Sequence, residues 1–171
     1  MPNINSYRFQ CPKCCHKINT DEKKVCSLKH FLEKPDENFE PYLIPDHVLL
    51  KYWSVLDIVN ENSCNSCCFT KAYHRYAQGT GSVLLSSQPS EADAIFQLVA
   101  KSEDTKVQLT LLKQLGLRYF TPKEVANIMF FPNYFSFPSE VSVKQMYKSL
   151  GNSINVYVVT CLMKLLFQKP D

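Results

Sequence analysis

The stretch TPKEVANIMFF, residues 121–131, contains the clearest helix start in this sequence of 171 residues. Thr121 can accept a hydrogen bond from the backbone N–H of Glu124, and the Glu124 side chain can reach back to the N–H of Thr121. Pro122 suits the first helical position, because its missing N–H would have no helical partner there. This capping pattern predicts a helix that begins at residue 122.

A second capping pattern opens the stretch SVKQMYKSLG, residues 142–151. Ser142 and Gln145 repeat the arrangement, and Gly151 fits a C-terminal cap. The residues that follow are apolar on nearly all sides of a helix, which is typical of a buried helix. One of its faces is formed by Ile154, Val158, Leu162 and Leu165. Such a helix needs a surface to dock on.

The upstream half of the sequence mixes helical and extended patterns. Residues 41–59 predict a helix with Pro45 in its first turn, followed by an apolar run. Residues 67–85 predict extended structure around Gly79-Thr80-Gly81, which fits a hairpin turn. Residues 91–115 carry two helical patterns. The sequence therefore predicts a mixed α+β architecture.

Composition and charge narrow the class of protein. Hydrophobic residues make up 45% of the chain, enough for a packed core, and the net charge of +3 is weak evidence for a nucleic-acid partner. Residues 62–90, however, contain no Asp or Glu. No uninterrupted apolar run reaches about 18 residues, so we expect no membrane span. The N-terminus lacks a signal-peptide pattern, so we expect an intracellular protein whose eight cysteines are reduced.

Two Cys-x-x-Cys pairs raise the alternative of a metal site. They lie in CPKCCHK, residues 11–17, and in CNSC, residues 64–67. Four thiolates can form a structural zinc site, but small zinc modules separate such pairs by roughly 15–20 residues. Here about 50 residues intervene. We therefore predict no metal site and keep a zinc-stabilised interaction domain as an alternative.

Three segments, in this order and spacing, resemble the cytosine-C5 methyltransferases. They are residues 68–84 (CFTKAYHRYAQGTGSVL), 117–138 and 143–167. The Cys-Phe-Thr triplet, the Gly-Thr-Gly-Ser turn and residues 41–59 are similar to the tRNA-directed branch. The resemblance implies a parent enzyme with a Rossmann-like α/β fold. It implies that this chain is its C-terminal portion, a mixed α+β target-recognition domain plus C-terminal helices.

The resemblance also implies the chemistry. In this family a cysteine of a Pro-Cys loop attacks C6 of cytosine, and C5 then takes the methyl group of S-adenosylmethionine. A Glu-Asn-Val segment contacts the base, and a Gly-rich loop holds the cofactor. No Pro-Cys pair, no Glu-Asn-Val and no such loop occurs in this sequence. Because covalent catalysis needs its nucleophile, we expect the chain alone to be inactive and to require an N-terminal catalytic half.

The family motifs assign expected site residues. The Gly-Asn-Ser-x-Asn motif implies cofactor contacts, although the residues alone favour a simple helix cap; they are Asn152, Ser153 and Asn155. The signature triplet implies supporting roles for Cys68 and Thr70. Cations and aromatics follow, which suit phosphate contacts and base stacking in tRNA; they are Lys71, Tyr73, His74, Arg75 and Tyr76.

The sequence departs from the family pattern at four positions. Ala72 and His74 replace glycines, Phe130 replaces a glycine before Phe-Pro, and Met146 replaces an arginine before Tyr. A side chain in place of glycine adds bulk where the backbone bends tightly. Loss of the arginine removes a partner for a phosphate or carboxylate. The penultimate family motif is retained and implies a structural role for Arg118, Thr121 and Glu124.

The resemblance implies three segments: 1–40 unassigned, 41–116 part of the target-recognition domain, and 117–171 returning to the methyltransferase domain. It also implies that the full enzyme methylates an anticodon-loop cytosine, cytosine 38, in tRNA. A non-catalytic module that binds RNA or a protein partner remains an alternative. The expected location is the cytoplasm, with the nucleus as a further compartment.

Overall fold

A computed structural model describes residues 26–34 and 37–167. Six α-helices and three short strands occur in these ranges, together with 3-10 turns at Leu28–His30, Glu40–Tyr42 and Trp53–Val55. The helices are α1 Asp46–Tyr52, α2 Pro89–Lys101, α3 Thr105–Gln114, α4 Pro122–Ile128, α5 Val143–Gly151 and α6 Val156–Phe167. The strands are β1 Ile58–Val59, β2 Val83–Leu84 and β3 Arg118–Tyr119. The expected mixed α+β architecture is confirmed.

The three strands form one small mixed sheet in the order β1-β2-β3. Strands β1 and β2 are parallel, with Ile58 opposite Val83, and β2 and β3 are antiparallel, with Val83 opposite Tyr119. The expected hairpin around Gly79-Thr80-Gly81 is therefore wrong. The segment before this turn forms no strand. It is linked to the turn by a backbone hydrogen bond in which the Thr70 N–H donates to Thr80 O (2.9 Å).

The predicted capping interactions set the starts of α4 and α5. Thr121 Oγ1 accepts from the Glu124 N–H (3.1 Å), and Glu124 Oε2 accepts from the Thr121 N–H (2.9 Å). Before α5, Gln145 Oε1 accepts from the Ser142 N–H at 2.9 Å. Both helix starts are confirmed, since each pair satisfies N–H groups that the first helical turn leaves unpaired.

One hydrophobic core joins the sheet to the helices around it. Helix α3 packs against both α1 and α2, and α4 packs against α5. Among the most deeply buried side chains are Val99, Leu112, Leu115, Phe120 and Val125. The core crosses the expected boundary at residues 116/117, because β3 pairs with β2. The division into three segments stays a prediction.

Helix α6 does not bury its apolar side chains among the described residues; none of its twelve is buried. By length and composition, Val143–Phe167 could cross a membrane, with a mean hydropathy of 1.4. The expectation that the chain has no membrane span stays a prediction. The stretch comprises two helices, however, and they are separated at residues 152–155. A criterion of length and composition is met also by apolar helices of soluble proteins.

The described cysteines differ in state. Cys26 is disulfide-bonded, so the expectation of reduced thiols is wrong at that position. Cys67, Cys68 and Cys161 are free thiols.

Candidate functional site

The C-terminus of α5 lies directly against the signature triplet. A Cβ added to Gly151 would come within 2.1 Å of the Thr70 carbonyl carbon and of the Lys71 nitrogen. Real Cβ atoms essentially never approach backbone this closely, so only glycine fits here. The predicted C-terminal cap explains this residue less well, since Gly151 is the last helical residue and Asn152 follows as the C-cap. Gly151 therefore joins the Cys-Phe-Thr segment to the Gly-Asn-Ser-x-Asn motif.

A second glycine fixes the other side of the signature triplet. A Cβ on Gly81 would lie 2.8 Å from the Phe69 ring and 2.7 Å from the Tyr73 ring. Phe69 packs edge-on against Tyr73 and Phe120, with ring centroids 5.0 and 5.4 Å apart. The Gly79-Thr80-Gly81 turn thus packs against these rings. This packing positions the backbone of Thr70, which lies between them in the sequence.

Tyr73 is a structural residue and not an RNA contact. Its ring is 2% exposed, and its hydroxyl donates to Ser82 O (2.7 Å) and accepts from the Phe120 N–H (2.9 Å). Burial raises the pKa of Tyr73 far above its usual value, so the hydroxyl stays protonated. A buried ring cannot stack on a base. The expectation that Tyr73 contacts tRNA is therefore corrected: the residue ties the signature segment to β2 and to the start of α4.

The other expected RNA contacts form an exposed face. Lys71, Arg75 and Tyr76 are exposed, and Tyr76 has 61% of its surface accessible. The Arg75 guanidinium lies 5.8 Å from the Tyr76 ring centroid, a cation–π distance. His74 stacks on Tyr147, with ring centroids 5.6 Å apart. This face, Lys71 with His74 to Tyr76, is called the basic face below.

Partial burial lowers the pKa of His74. The imidazole therefore holds its proton less readily than a free histidine and contributes aromatic surface at neutral pH. The positive charge of the basic face comes from Lys71 and Arg75. Within residues 62–90 no carboxylate opposes these charges, as the sequence already indicated.

Two neighbouring cysteines, Cys67 and Cys68, lie at the start of the signature triplet. Cys68 is exposed, and its expected supporting role stays a prediction. The neighbouring Cys67 N–H donates to Ser82 Oγ at 2.7 Å, and that hydroxyl donates to the Asp57 carboxylate. A hydrogen bond to Asp57 raises the pKa of Cys67, which keeps this thiol protonated. Ser82 and Asp57 were missed by sequence reasoning, because contacts 15 and 25 residues apart leave no local pattern.

The three residues of the expected cofactor motif have different surroundings. Asn152 is exposed and Ser153 is half-buried. Asn155 Oδ1 accepts from the Val158 N–H (3.1 Å), and its Nδ2 donates to Ile128 O (3.4 Å). The side chain of Asn155 thus caps α6 and anchors it to the end of α4. The helix-cap interpretation is correct for Asn155. Ser153 Oγ donates to Ile154 O (3.5 Å), and the Asn152 side chain is exposed beside the junction.

Two departures from the family pattern coincide with unusual backbone. His74 has φ of 69° and Phe130 has φ of 60°, and they are the two non-glycine residues with positive φ among those described. Glycine adopts this conformation freely, whereas a side chain costs roughly 1–2 kcal/mol. Both are positions where the resembling family carries glycine. The chain retains the glycine conformation there without the glycine.

A buried ion pair links strand β3 to the first turn of α4. Arg118 and Glu124 form two hydrogen bonds of 2.7 Å, and they are 4% and 0% exposed. Glu124 Oε1 also accepts from the Glu33 N–H at 3.1 Å, and Arg118 lies over the Phe39 ring at 4.1 Å. The expected structural role is confirmed. It extends to Glu33, in a segment that the sequence left unassigned.

Met146, which stands where the family has arginine, lines a cavity of about 390 Å³. Glu33, Lys123 and Phe137 line the same cavity. For metals, no group of three or more His, Cys, Asp or Glu side chains with suitable geometry occurs in the described residues. The first Cys-x-x-Cys pair lies outside these residues, so the zinc alternative is untested.

The fold and this junction define a class of protein. Residues 15–168 match the family described as C-5 cytosine-specific DNA methylase, and the chain belongs to that family. The expected resemblance is confirmed.

Individual relatives indicate which branch of the family this chain resembles. The chain is 41% identical over 164 residues to the human tRNA (cytosine(38)-C(5))-methyltransferase, covering 95% of this chain and 41% of the relative. It is 45% identical over 144 residues to the mouse protein of that name, covering 83% and 34%. A DNMT2 mutant from Spodoptera frugiperda superimposes with a TM-score of 0.78 at 41% identity, covering 84% of this chain and 43% of that chain. The chain thus spans less than half the length of these relatives.

Proposed function

We propose that this chain is the C-terminal part of an S-adenosylmethionine-dependent tRNA cytosine-C5 methyltransferase that methylates an anticodon-loop cytosine, cytosine 38. The contact of Gly151 with Thr70 carries the proposal, because it brings the expected cofactor motif to the back of the expected RNA-contact segment. The relatives named tRNA (cytosine(38)-C(5))-methyltransferase support the choice of substrate. The cytoplasm is the proposed location, with the nucleus as a further compartment.

S-adenosylmethionine supplies the methyl group in this family. Asn152 and Ser153 fit its binding, since an exposed amide and a half-buried hydroxyl lie where α5 ends and can contact a polar group. Asn155 differs from them, because its amide caps α6 and donates to Ile128 O. Its role is to hold the turn in place.

The basic face would hold the tRNA. Lys71 and Arg75 contact phosphates, and Tyr76 offers an exposed ring for a base that has left its stack. Thr70 directly precedes this face, and its backbone contacts Gly151. The supporting role of Cys68 and Thr70 is to hold the basic face in position relative to residues 152–155.

Catalysis requires residues that the sequence does not supply. No Pro-Cys pair is present, so the thiolate that attacks C6 must come from an N-terminal half. We therefore propose that the isolated chain transfers no methyl group and that adding the missing half restores transfer.

The test is complementation with the part of the Spodoptera frugiperda relative that this chain does not match. Methyl transfer from labelled S-adenosylmethionine to tRNA is measured for the chain, for the added half and for both together, and the position of the label is mapped. Activity only in the mixture, at cytosine 38, is the expected result. Transfer by the chain alone, or none by the mixture when both parts associate, contradicts the proposal.

The second candidate function is a non-catalytic RNA-binding module, favoured by the exposed basic face with no carboxylate between residues 62 and 90. It predicts that the isolated chain binds tRNA without the N-terminal half and without S-adenosylmethionine. Binding that needs the complementing half supports the enzyme instead.

A further inference from the structure

The cavity of about 390 Å³ that Met146 lines is enclosed by α4, by α5 and by the loop that joins these two helices. Its volume falls within the range of about 300–1,000 Å³ that is usual for small-ligand sites. The lining combines a carboxylate with aromatic rings and a thioether; these belong to Glu33, Tyr42, Phe135, Phe137 and Met146. We call it the Glu33 cavity. It is separate from the basic face and from residues 152–155, none of which lines it.

The Glu33 carboxylate keeps an oxygen available at the wall of this cavity. Its Oε2 accepts a hydrogen bond from Thr121 Oγ1, and Thr121 also lines the cavity. Its Oε1 accepts no hydrogen bond from the described residues, and no Lys or Arg among them forms an ion pair with it. A carboxylate has room for about four hydrogen bonds. Glu33 can therefore accept N–H groups from a bound molecule.

Tyr42 lies close enough to Glu33 to respond to its charge. Burial raises the pKa of Tyr42, and the negative charges of Glu33 and then of Glu124 raise it further. The phenol is therefore protonated at neutral pH. Within the part of the chain that the structure describes, its hydroxyl forms no hydrogen bond. The ring and the carboxylate thus form one wall that is both aromatic and negative.

Lys123 also lines the cavity, but its ammonium group bonds to the backbone of the loop. Lys123 Nζ donates to Asn133 O (3.2 Å) and to Phe135 O (3.0 Å). These bonds hold the second aromatic wall, where the Phe135 and Phe137 rings pack edge-on with centroids 5.0 Å apart. A cation can bind against such rings when it lies over a ring face.

Met146 completes the lining from α5 and brings neither a charge nor an N–H donor. Because the family pattern has arginine at this position, the chain keeps a carboxylate in the cavity without that cation. We propose that the Glu33 cavity binds a guanidinium group, which donates to the Glu33 carboxylate and packs against the aromatic rings. A guanidinium suits both walls, since it carries its N–H donors in one plane and stacks on aromatic faces. It belongs either to a free guanidino compound or to an arginine side chain of a polypeptide. This site is independent of the proposed function.

The first test measures binding to the full chain by two-dimensional NMR. The probes are methylguanidine, the peptide acetyl-Gly-Arg-Gly-amide, and the same peptide with citrulline or lysine in place of arginine. We expect saturable shifts of the Lys123 and Phe137 amide signals with the two guanidinium probes. The citrulline peptide should give none, because citrulline keeps the shape of arginine without its charge.

The probes also separate the sources of the group. Tighter binding of the arginine peptide than of methylguanidine assigns the site to a polypeptide side chain, and equal affinity assigns it to a free compound. Saturable binding of the citrulline peptide, equal affinity for the lysine peptide, or no saturable shift with any probe overturns the proposal.

A substitution at Glu33 tests the role of the charge. Glu33→Gln keeps the side-chain shape and an oxygen that can accept from Thr121, and it should weaken binding of the arginine peptide by about tenfold or more. Glu103→Gln is the matched control, because Glu103 is exposed and lies outside the cavity. Equal affinities of these two variants would contradict the assignment.

A substitution at Met146 supplies the guanidinium from within the chain. Met146→Arg should abolish binding of the arginine peptide and raise the thermal unfolding midpoint by a few degrees, because its guanidinium pairs with Glu33. Met163→Arg is the control on α6, where Met163 is 49% exposed, and it should do neither. Undiminished binding in a folded Met146→Arg variant overturns the proposal. If Met146→Arg fails to fold, the comparison of Glu33→Gln with Glu103→Gln decides.

Discussion

Gly151 and Thr70 are in direct backbone contact: a Cβ on Gly151 would lie 2.1 Å from the Thr70 carbonyl carbon. The contact couples the last turn of α5 to a segment some eighty residues earlier in the chain. Because both partners at the contact are backbone, neither can rotate away as a side chain would. The relative position of the basic face and of residues 152–155, which carry the expected cofactor motif, therefore depends on the absence of one methyl group.

Gly151→Ala should destabilise the chain by about 1–3 kcal/mol, the range for overpacking a core. The control is Gly79→Ala, where φ is 68° but nothing lies within 4 Å of the added Cβ. That variant should lose only about 1 kcal/mol of backbone strain energy. Urea unfolding measures both, and a smaller loss for Gly151→Ala than for Gly79→Ala would contradict the contact.

At His74 and Phe130 the left-handed backbone should make a glycine variant more stable than an alanine variant, which reverses the usual order of stability in a helix. His74→Gly should be more stable than His74→Ala by about 1 kcal/mol, and the same holds for Phe130, because only glycine relieves the positive φ. Glycine is compared with alanine because both variants lack the native ring, so the lost ring contacts do not contribute to the difference in stability. At Gln97, an exposed position inside α2, glycine should instead be worse by about 0.8–1 kcal/mol. Denaturant midpoints decide the sign, and the ordinary order at His74 would refute the strained backbone.

Tyr73 and Arg75 separate stability from RNA binding. Tyr73→Phe removes the hydroxyl that bridges Phe120 and Ser82, which should cost about 1–3 kcal/mol because the Phe120 N–H is left buried without its partner. Its tRNA affinity in the complemented enzyme should be unchanged.

Arg75→Glu, on the exposed basic face, should leave the unfolding midpoint unchanged. It should weaken tRNA binding and reduce the salt dependence by about one ion. Filter binding at several salt concentrations, with thermal unfolding of the same samples, tests both variants. An affinity loss in Tyr73→Phe larger than in Arg75→Glu would return Tyr73 to the interface.

Two ion pairs of nearly equal length should differ in their contribution to the free energy of unfolding. Arg118 and Glu124 are 2.7 Å apart and buried, whereas Lys113 and Asp46 are 2.8 Å apart with side chains 55% and 53% exposed. Arg118→Met leaves a buried carboxylate without its cation and should cost about 3–5 kcal/mol. Lys113→Met should cost at most about 1 kcal/mol, because solvent screens the exposed pair. Similar losses in chemical unfolding would show that burial does not decide the difference.

The lowered pKa of His74 predicts a pH dependence of stability. The unfolded chain binds a proton at His74 near its ordinary pKa of about 6.5, and the folded chain binds it only at lower pH because the ring is partly buried. Stability from this group is therefore present above about pH 6.5 and falls as the pH drops toward the folded pKa. His74→Asn, which tolerates positive φ, should remove that decline. Unfolding midpoints of both forms between pH 7.5 and 5 provide the measurement, and parallel curves would refute the assignment.

Local patterns predicted the parts of the fold that depend on neighbours in sequence. The capping pairs at Thr121 and Ser142 formed as expected, because each joins residues three apart in the chain. The glycine replacements at positions 74 and 130 were visible as departures and proved to mark positive φ. Extended structure before Gly79-Thr80-Gly81 was not predicted correctly, because β2 takes its partners from β1 and β3, far away in the chain.

The sequence by itself determined the family, the absence of a Pro-Cys pair and the residues that could bind a cofactor or RNA, since these depend on residue type and order. Only the tertiary structure decided what those residues do. It buried Tyr73, turned Asn155 into the cap of α6, and showed that Gly151 is required for close approach to Thr70. Burial and backbone contact between distant segments arise from packing of the whole chain, and no local spacing specifies them.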